Sequence, residues 1–155
     1  MSMKVIVGGT FAYLHKGHRA LLRKAFMLGD TVVIGLTTDA FVKSRKGAAI
    51  KRYSERRREL VRFVARFGKK FRIQRLNDRN GTAASGNFDA IVVSQETVKA
   101  AKEINLIRRK SGLDPLRIVK VGMVKAYDRL PISSSRIYAG EIDINGNKAM
   151  DKRHH

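Results

Sequence analysis

The sequence predicts an α/β fold: a single domain on a doubly wound, five-stranded parallel sheet. Three observations predict it. Short strand-like apolar runs alternate with segments of helical periodicity along the chain. The run Thr31–Leu36 (TVVIGL) is apolar without alternation, as in a strand buried on both faces. Turns rich in glycine or serine follow the first and fifth strand-like runs, and doubly wound sheets bind ligands at the carboxyl ends of their strands. The 155 residues fit one domain. A domain of ~150 residues buries about 68–70% of its unfolded surface, enough for its own core.

The elements follow in order. Lys4–Val7 is the first strand. Gly17–Leu28 is a helix with His18, Leu21, Leu22, Ala25 and Leu28 on one stripe and Gly29 as its stop. Thr31–Leu36 is the second strand, and Thr37, Thr38 and Asp39 offer caps for a short helix through Phe41 and Val42. Arg45–Lys51 reads as a basic loop. Ser54 caps the next helix, whose inner stripe is Leu60, Phe63, Val64 and Phe67, while Arg56, Arg57, Arg58, Arg62 and Arg66 cover the rest and Gly68 ends it. Phe71–Leu76 is the third strand. Asn77–Asn87 is a polar loop of a length that is often functional or disordered. Ala90–Val93 is the fourth strand. Ser94 caps a helix starting at Gln95–Glu96, with Ala100, Ala101, Ile104 and Ile107 facing inward, and Gly112 and Pro115 close it. Leu116–Val121 is the fifth strand, and Pro131–Ile137 opens a final helix with Ser133, Ser134 and Ser135. The domain is expected over residues 1–147, followed by a polar tail over 148–155 expected to be disordered.

Composition narrows the chemistry. Cysteine is absent, which excludes disulfides, thiolate zinc sites and a cysteine nucleophile. No run of ~18 apolar residues exists, so no membrane span or membrane partner is expected, and the N-terminus lacks the pattern of a signal peptide. The expected location is the cytoplasm. The formal charge of +20 raises the alternative of a nucleic-acid-binding module. Eleven Lys or Arg lie between Lys51 and Arg75, but the Phe residues among them fall on the apolar stripe rather than forming stacking platforms. A solvated basic face is therefore favoured over a nucleic-acid groove. Nothing in the pattern specifies an oligomeric state.

The stretch Val7-Gly8-Gly9-Thr10-Phe11-Ala12-Tyr13-Leu14-His15-Lys16-Gly17-His18 joins the first strand to the first helix. Its glycines allow a sharp turn and a close backbone approach to a ligand. The helix start offers unpaired N–H groups and partial positive charge to an anion. Neither G-x-x-x-x-G-K-[ST] nor G-x-G-x-x-G is present, so the common phosphate-loop and dinucleotide signatures do not apply. A zinc pair at His15 and His18 is disfavoured by the lack of cysteine and of H-E-x-x-H. A buried structural histidine and plain serine N-capping are the alternatives for His18 and for Ser133–Ser135.

Gly9-Thr10-Phe11 with His15-x-x-His18 resembles the G-T-F-D-x-x-H-x-G-H signature of the nucleotidyltransferase superfamily, and Ile132-Ser133-Ser134-Ser135 resembles its I-S-S-[ST] motif. Tyr53-x-x-Arg56 resembles the Y-x-x-R segment. Val92-Val93-Ser94-Gln95-Glu96-Thr97, with Ile104-Asn105 and Arg108, resembles the phosphopantetheine adenylyltransferases of archaea and eukaryotes, and Gly140–Asp143 points to the archaeal branch. The resemblance implies a Rossmann-like fold and transfer of AMP from ATP, with Mg²⁺, to 4′-phosphopantetheine. It implies phosphate contacts at Gly9, Thr10 and Phe11, His18 at the reacting α-phosphate and His15 on the triphosphate. Ser133, Ser134 and Ser135 would meet the β- and γ-phosphates, and Ser94 and Glu96 would line the adenosine side, although a helix cap and a first-turn acid explain Ser94 and Glu96 almost as well. Lys43 would hold the acceptor phosphate, in competition with Lys46 and Lys51. A related enzyme using another phosphorylated acceptor, of the FMN or glycerol phosphate type, is the nearest alternative. In one departure, Ala12 stands where the signature has Asp.

Overall fold

Each of the five strand-like runs forms a strand, and all pair in parallel. The computed structural model describes residues 2–46 and 51–150. The strands are β1 (Lys4–Gly9), β2 (Thr31–Thr37), β3 (Lys70–Leu76), β4 (Ala90–Val93) and β5 (Arg117–Lys120). Their order is β3-β2-β1-β4-β5. The chain winds outward from β1 to β3, then returns to β4 beside β1 and winds the other way. The switch point between β1 and β4 is where such a sheet opens a crevice at its carboxyl ends.

Side-chain alternation divides the core between two faces. Val5, Val7, Val32, Ile34 and Leu36 pack against Leu22 and Phe26 of α1 (Lys16–Leu28) and Leu60, Phe63 and Val64 of α3 (Tyr53–Val64). Ile6, Val33, Ile91 and Val93 pack against Ala101 and Ile104 of α4 (Val98–Lys110), with Ala83, Phe88 and Leu116. In-register pairing of Val5 with Val32 and Val7 with Ile34 keeps each face continuous. The short α2 (Asp39–Lys46) follows β2.

Several boundaries differ from the sequence expectation. The α1 stripe includes Phe26, while Leu28 is only partly buried. α2 runs to Lys46, so Arg45 and Lys46 of the expected basic loop are helical; residues 47–50 lie outside the described residues. α3 begins at Tyr53, so Ser54 lies inside its first turn and caps nothing. Asp39 Oδ1 instead accepts the Tyr53 N–H at 2.8 Å. α4 begins at Val98, three residues beyond the expected start, because Ser94 forms a turn whose carbonyl accepts from Thr97 and Val98. Ile107 is 39% exposed, and the polar Asn105 and Arg108 take inner positions of α4.

Those two side chains act as substitute backbone. Asn105 donates to the Leu116 carbonyl at 2.9 Å and accepts from the Leu116 N–H at 2.7 Å, fixing the approach to β5. Arg108 donates to the carbonyls of Asp114, Ala83 and Gly86 at 2.7, 3.0 and 2.7 Å. The polar loop after β3 is thereby pinned, and it contains a short 3-10 turn, Gly81–Ala84.

Beyond β5 the chain builds a small lobe around Ala126, Ile132 and Ile142. The final helix, α5, is only Ser134–Tyr138. Isolated bridges join Lys125 to Pro131 and Ile142 to Lys148, and Ala149 N–H donates to Glu141. Lys148 and Ala149, at the start of the expected tail, are thereby held to the lobe; residues 151–155 lie outside the described residues. The lobe docks on α1: Lys16 N–H donates to the Ile144 carbonyl at 2.7 Å, and Arg19 reaches Ile144 O and Asn145 Oδ1.

Candidate active site at the carboxyl ends of β1 and β4

The turn after β1 is shaped by what its glycines lack. A Cβ on Gly17 would lie 2.9 Å from His15 Cε1, and one on Gly9 would lie 3.2 Å from the Phe11 ring. Both rings fold back over the backbone because nothing stands there. Phe11 and Leu14 adopt left-handed backbone, with φ of 49° and 44°. Such conformations cost about 1–3 kcal/mol each and persist only where the surroundings impose them.

His15 is the N-cap of α1. Its Nδ1 accepts from the N–H groups of Gly17 and His18 at 3.1 and 3.2 Å, which leaves the ring proton on Nε2. Burial and, secondarily, the Arg19 guanidinium push its pKa down to about 4, so the ring is neutral at pH 7. The His18 ring stacks on His15 with centroids 3.6 Å apart and planes 14° apart. The edge of Phe11 meets it at 5.1 Å. His18 is thus held from two sides. Zinc ligation is disfavoured here: His15 Nδ1 is occupied by backbone donors, and the rings lie face to face. Among the described residues no group of three His, Cys, Asp or Glu could hold a metal ion.

A cavity of about 310 Å³ opens at the switch point. Its walls are the β1–α1 turn from Gly8 to His18, the Ser94–Thr97 turn after β4, Val121–Val124 after β5, and Pro131–Ser135. Gly9, Thr10, Phe11, His15, His18, Ser94, Glu96, Ser133, Ser134 and Ser135, separated by up to 126 positions (135 − 9), all line it. Ser133 Oγ caps α5 by accepting from Arg136 N–H at 3.2 Å, so the capping reading holds for that serine. Arg136 braces the turn through Asp128, Glu141 and the Pro131 carbonyl. Its hydrogen bond holds the Asp128 carboxyl below the usual carboxylate range.

The cytidylyltransferase-like family matches residues 6–140. The chain belongs to that family. It is 48% identical to the phosphopantetheine adenylyltransferase of Methanosarcina acetivorans, over 97% of this chain and 98% of that protein. It is also 48% identical to the bifunctional phosphopantetheine adenylyltransferase/NTP phosphatase of Thermoplasma volcanium, over 94% of this chain but only 45% of that protein. A protein of unknown function from Archaeoglobus fulgidus has a similar structure, with TM-score 0.72 and 32% identity, over 84% of this chain and all of the other. Within the cytidylyltransferase-like family, the chain groups with the archaeal phosphopantetheine adenylyltransferases.

The sequence expectation names Lys43 for an acceptor phosphate, in competition with Lys46 and Lys51. Lys43 and Lys46 lie on α2, and their side chains are outside the described residues. Lys51 pairs with Glu59 at 2.7 Å and sits 5.8 Å from the Tyr13 ring. Ala12, in place of the signature Asp, is buried in the cavity wall at 3% exposure. Sequence reading missed Val121–Val124, where a mixed apolar stretch carries no functional signal. It also missed Thr37, whose hydroxyl donates to Thr10 Oγ1 at 3.0 Å, and placed Arg56 on the solvated face although it is 0% exposed. The Tyr53-x-x-Arg56 segment was the available pointer to Arg56.

Proposed function

We propose that this chain transfers the AMP moiety of ATP to the phosphate of 4′-phosphopantetheine, giving dephospho-coenzyme A and pyrophosphate. The reading rests on one observation: turns far apart in sequence, Gly9–His18 and Pro131–Ser135, line a single cavity at the topological switch point. Identity of 48% to an archaeal phosphopantetheine adenylyltransferase covered almost end to end supports the choice of acceptor.

An oxygen of the acceptor phosphate attacks the α-phosphorus in line, and the bond from that phosphorus to the β-bridging oxygen breaks. The nucleophile arrives already ionised, so the protein supplies orientation and charge stabilisation rather than a base. The backbone of Gly9, Thr10 and Phe11 contacts the phosphates. His18, held between His15 and Phe11, donates to the α-phosphate as charge builds there. His15 offers its Nε2–H to the triphosphate. Ser134 and Ser135, with the turn that Ser133 caps, receive the β- and γ-phosphates. Ser94 and Glu96 line the adenosine side, and Lys43 binds the acceptor phosphate. Mg²⁺ enters with ATP as part of the substrate. The reaction is cytoplasmic, where ATP is supplied.

The test is incubation with MgATP and 4′-phosphopantetheine, with FMN and glycerol phosphate as competing acceptors. Pyrophosphate and dephospho-coenzyme A are expected with the first acceptor alone. Turnover confined to FMN or glycerol phosphate would reassign the acceptor, and no pyrophosphate with any of them would overturn the reading.

A further inference from the structure

Arg56 is a charged side chain with no access to water, and its partners come from four segments. Nε donates to the Lys51 carbonyl at 2.8 Å. One terminal nitrogen donates to the carbonyls of Thr10 and Thr37 at 3.0 and 2.9 Å. The other donates to Asp39 Oδ1 at 3.0 Å, the carboxylate that also accepts the Tyr53 N–H. Arg56 therefore ties the end of β2, the segments flanking α2 and the start of α3 to one peptide of the β1–α1 turn.

That peptide joins Thr10 to Phe11. In a trans peptide the C=O and N–H point in opposite directions. Thr10 O is drawn into the buried guanidinium, so the Phe11 N–H points the other way, and Phe11 takes the left-handed φ of 49°. Thr10 and Phe11 both line the cavity. A flip of this peptide would present a carbonyl oxygen where an anion is to bind, turning an attractive dipole into a repulsive one.

We propose that Arg56 is a positioning residue: it locks the Thr10–Phe11 peptide with its carbonyl turned inward and its N–H presented to substrate phosphate, and couples that orientation to the basic segment around α2. This rests on the phosphate-binding reading of the turn given above. A lysine at this position keeps the charge but not the planar fork, so it cannot serve carbonyls on several sides at once.

Two measurements test it. In the first, inorganic pyrophosphate is titrated into the unmodified protein while backbone amide resonances are followed. The Phe11 amide is expected to shift together with amides of the Ser133–Ser135 turn. In the second, Arg56→Lys is compared with Arg108→Lys, which disturbs an equally carbonyl-bound arginine that lies outside the cavity lining. Both are expected to lower Tm. Only Arg56→Lys is expected to lose kcat, by about 10- to 100-fold, the range for one hydrogen bond to a charged group, and to lose the Phe11 response. A silent Phe11 with responding serines overturns the positioning role while sparing the phosphate site. Silence in both turns overturns the phosphate site, and the proposal with it. Wild-type kcat in Arg56→Lys, or equal losses in the two variants, also overturns it. If Arg56→Lys does not fold, the titration of the unmodified protein still decides.

Discussion

His18 and His15 carry different loads although they stack on each other. The His18 ring lies at the cavity against His15 and Phe11, whereas the Nδ1 that caps α1 belongs to His15, so truncating His18 removes a ring at the cavity and keeps that capping atom. His18→Ala is expected to leave the circular dichroism spectrum unchanged and to lower kcat about 100- to 1000-fold, the usual loss for one transition-state donor. Near-normal turnover would remove His18 from the reaction. His15 instead affects stability through its proton. Its native pKa is about 4 against 6.5 for a free histidine, so between those values the unfolded chain binds more protons than the native one. Stability therefore falls as pH drops from 6.5 towards 4, by at most about 1.4 kcal/mol per pH unit for one group. His15→Asn keeps a side-chain oxygen able to cap α1 and lacks the titrating ring. It is expected to flatten that slope in urea unfolding measured from pH 4 to 7, and an unchanged slope would assign the proton uptake elsewhere.

At the scale of elements, the site depends on how neighbouring segments are tied down. Asn105 supplies both hydrogen bonds that the backbone of Leu116 makes to α4, in a buried setting. Asn105→Ala leaves a buried N–H and a buried C=O without these partners, at about 1–3 kcal/mol each. A lower midpoint in thermal unfolding is expected, with activity per folded molecule retained because Asn105 is outside the cavity lining. The serine turn depends on the docking of the C-terminal lobe onto α1. Arg19→Ala removes the side-chain contacts to Ile144 and Asn145 while leaving the Lys16 N–H bond in place. The expected result is a several-fold higher KM for ATP with a smaller change in kcat. An unchanged KM would show that the backbone bond and the cluster around Ile142 hold the lobe alone.

Across the whole molecule, the +20 charge is the dominant long-range term. Exposed arginines and lysines stand on both sides of the sheet, including Arg57, Arg58 and Arg62 on α3 and Lys99, Lys102 and Arg109 on α4. A charge so distributed repels itself and draws in anionic substrates, and it marks no single groove. Raising salt from about 0.01 to 0.5 M shortens the Debye length from roughly 30 to under 10 Å. A rise of a few degrees in Tm is expected over that range. Binding to RNA should fall steeply and vanish near physiological salt, and a gel shift surviving there would give the nucleic-acid reading independent weight. Among the described residues no helix is long and apolar enough to cross a membrane.

Local sequence determined the alternation of strands and helices, because period-2 and period-3.6 burial leave their mark on consecutive residues. It also determined the two site turns, since Gly9, Gly17, the histidines and the serines stand in compact patterns. The start of α3 moved two residues earlier and that of α4 three residues later, because the acceptors that matter come from Asp39 and from the Ser94 carbonyl in the turn after β4 rather than from the expected caps. Tertiary structure alone decided the strand order, the lobe beyond β5 and the convergence of both turns on one cavity. It alone decided that Arg56, Asn105 and Arg108 are buried. Polarity patterns assign such residues to solvent; what buries them is a set of backbone carbonyls and amides contributed by other segments, and their positions exist only once the chain has folded.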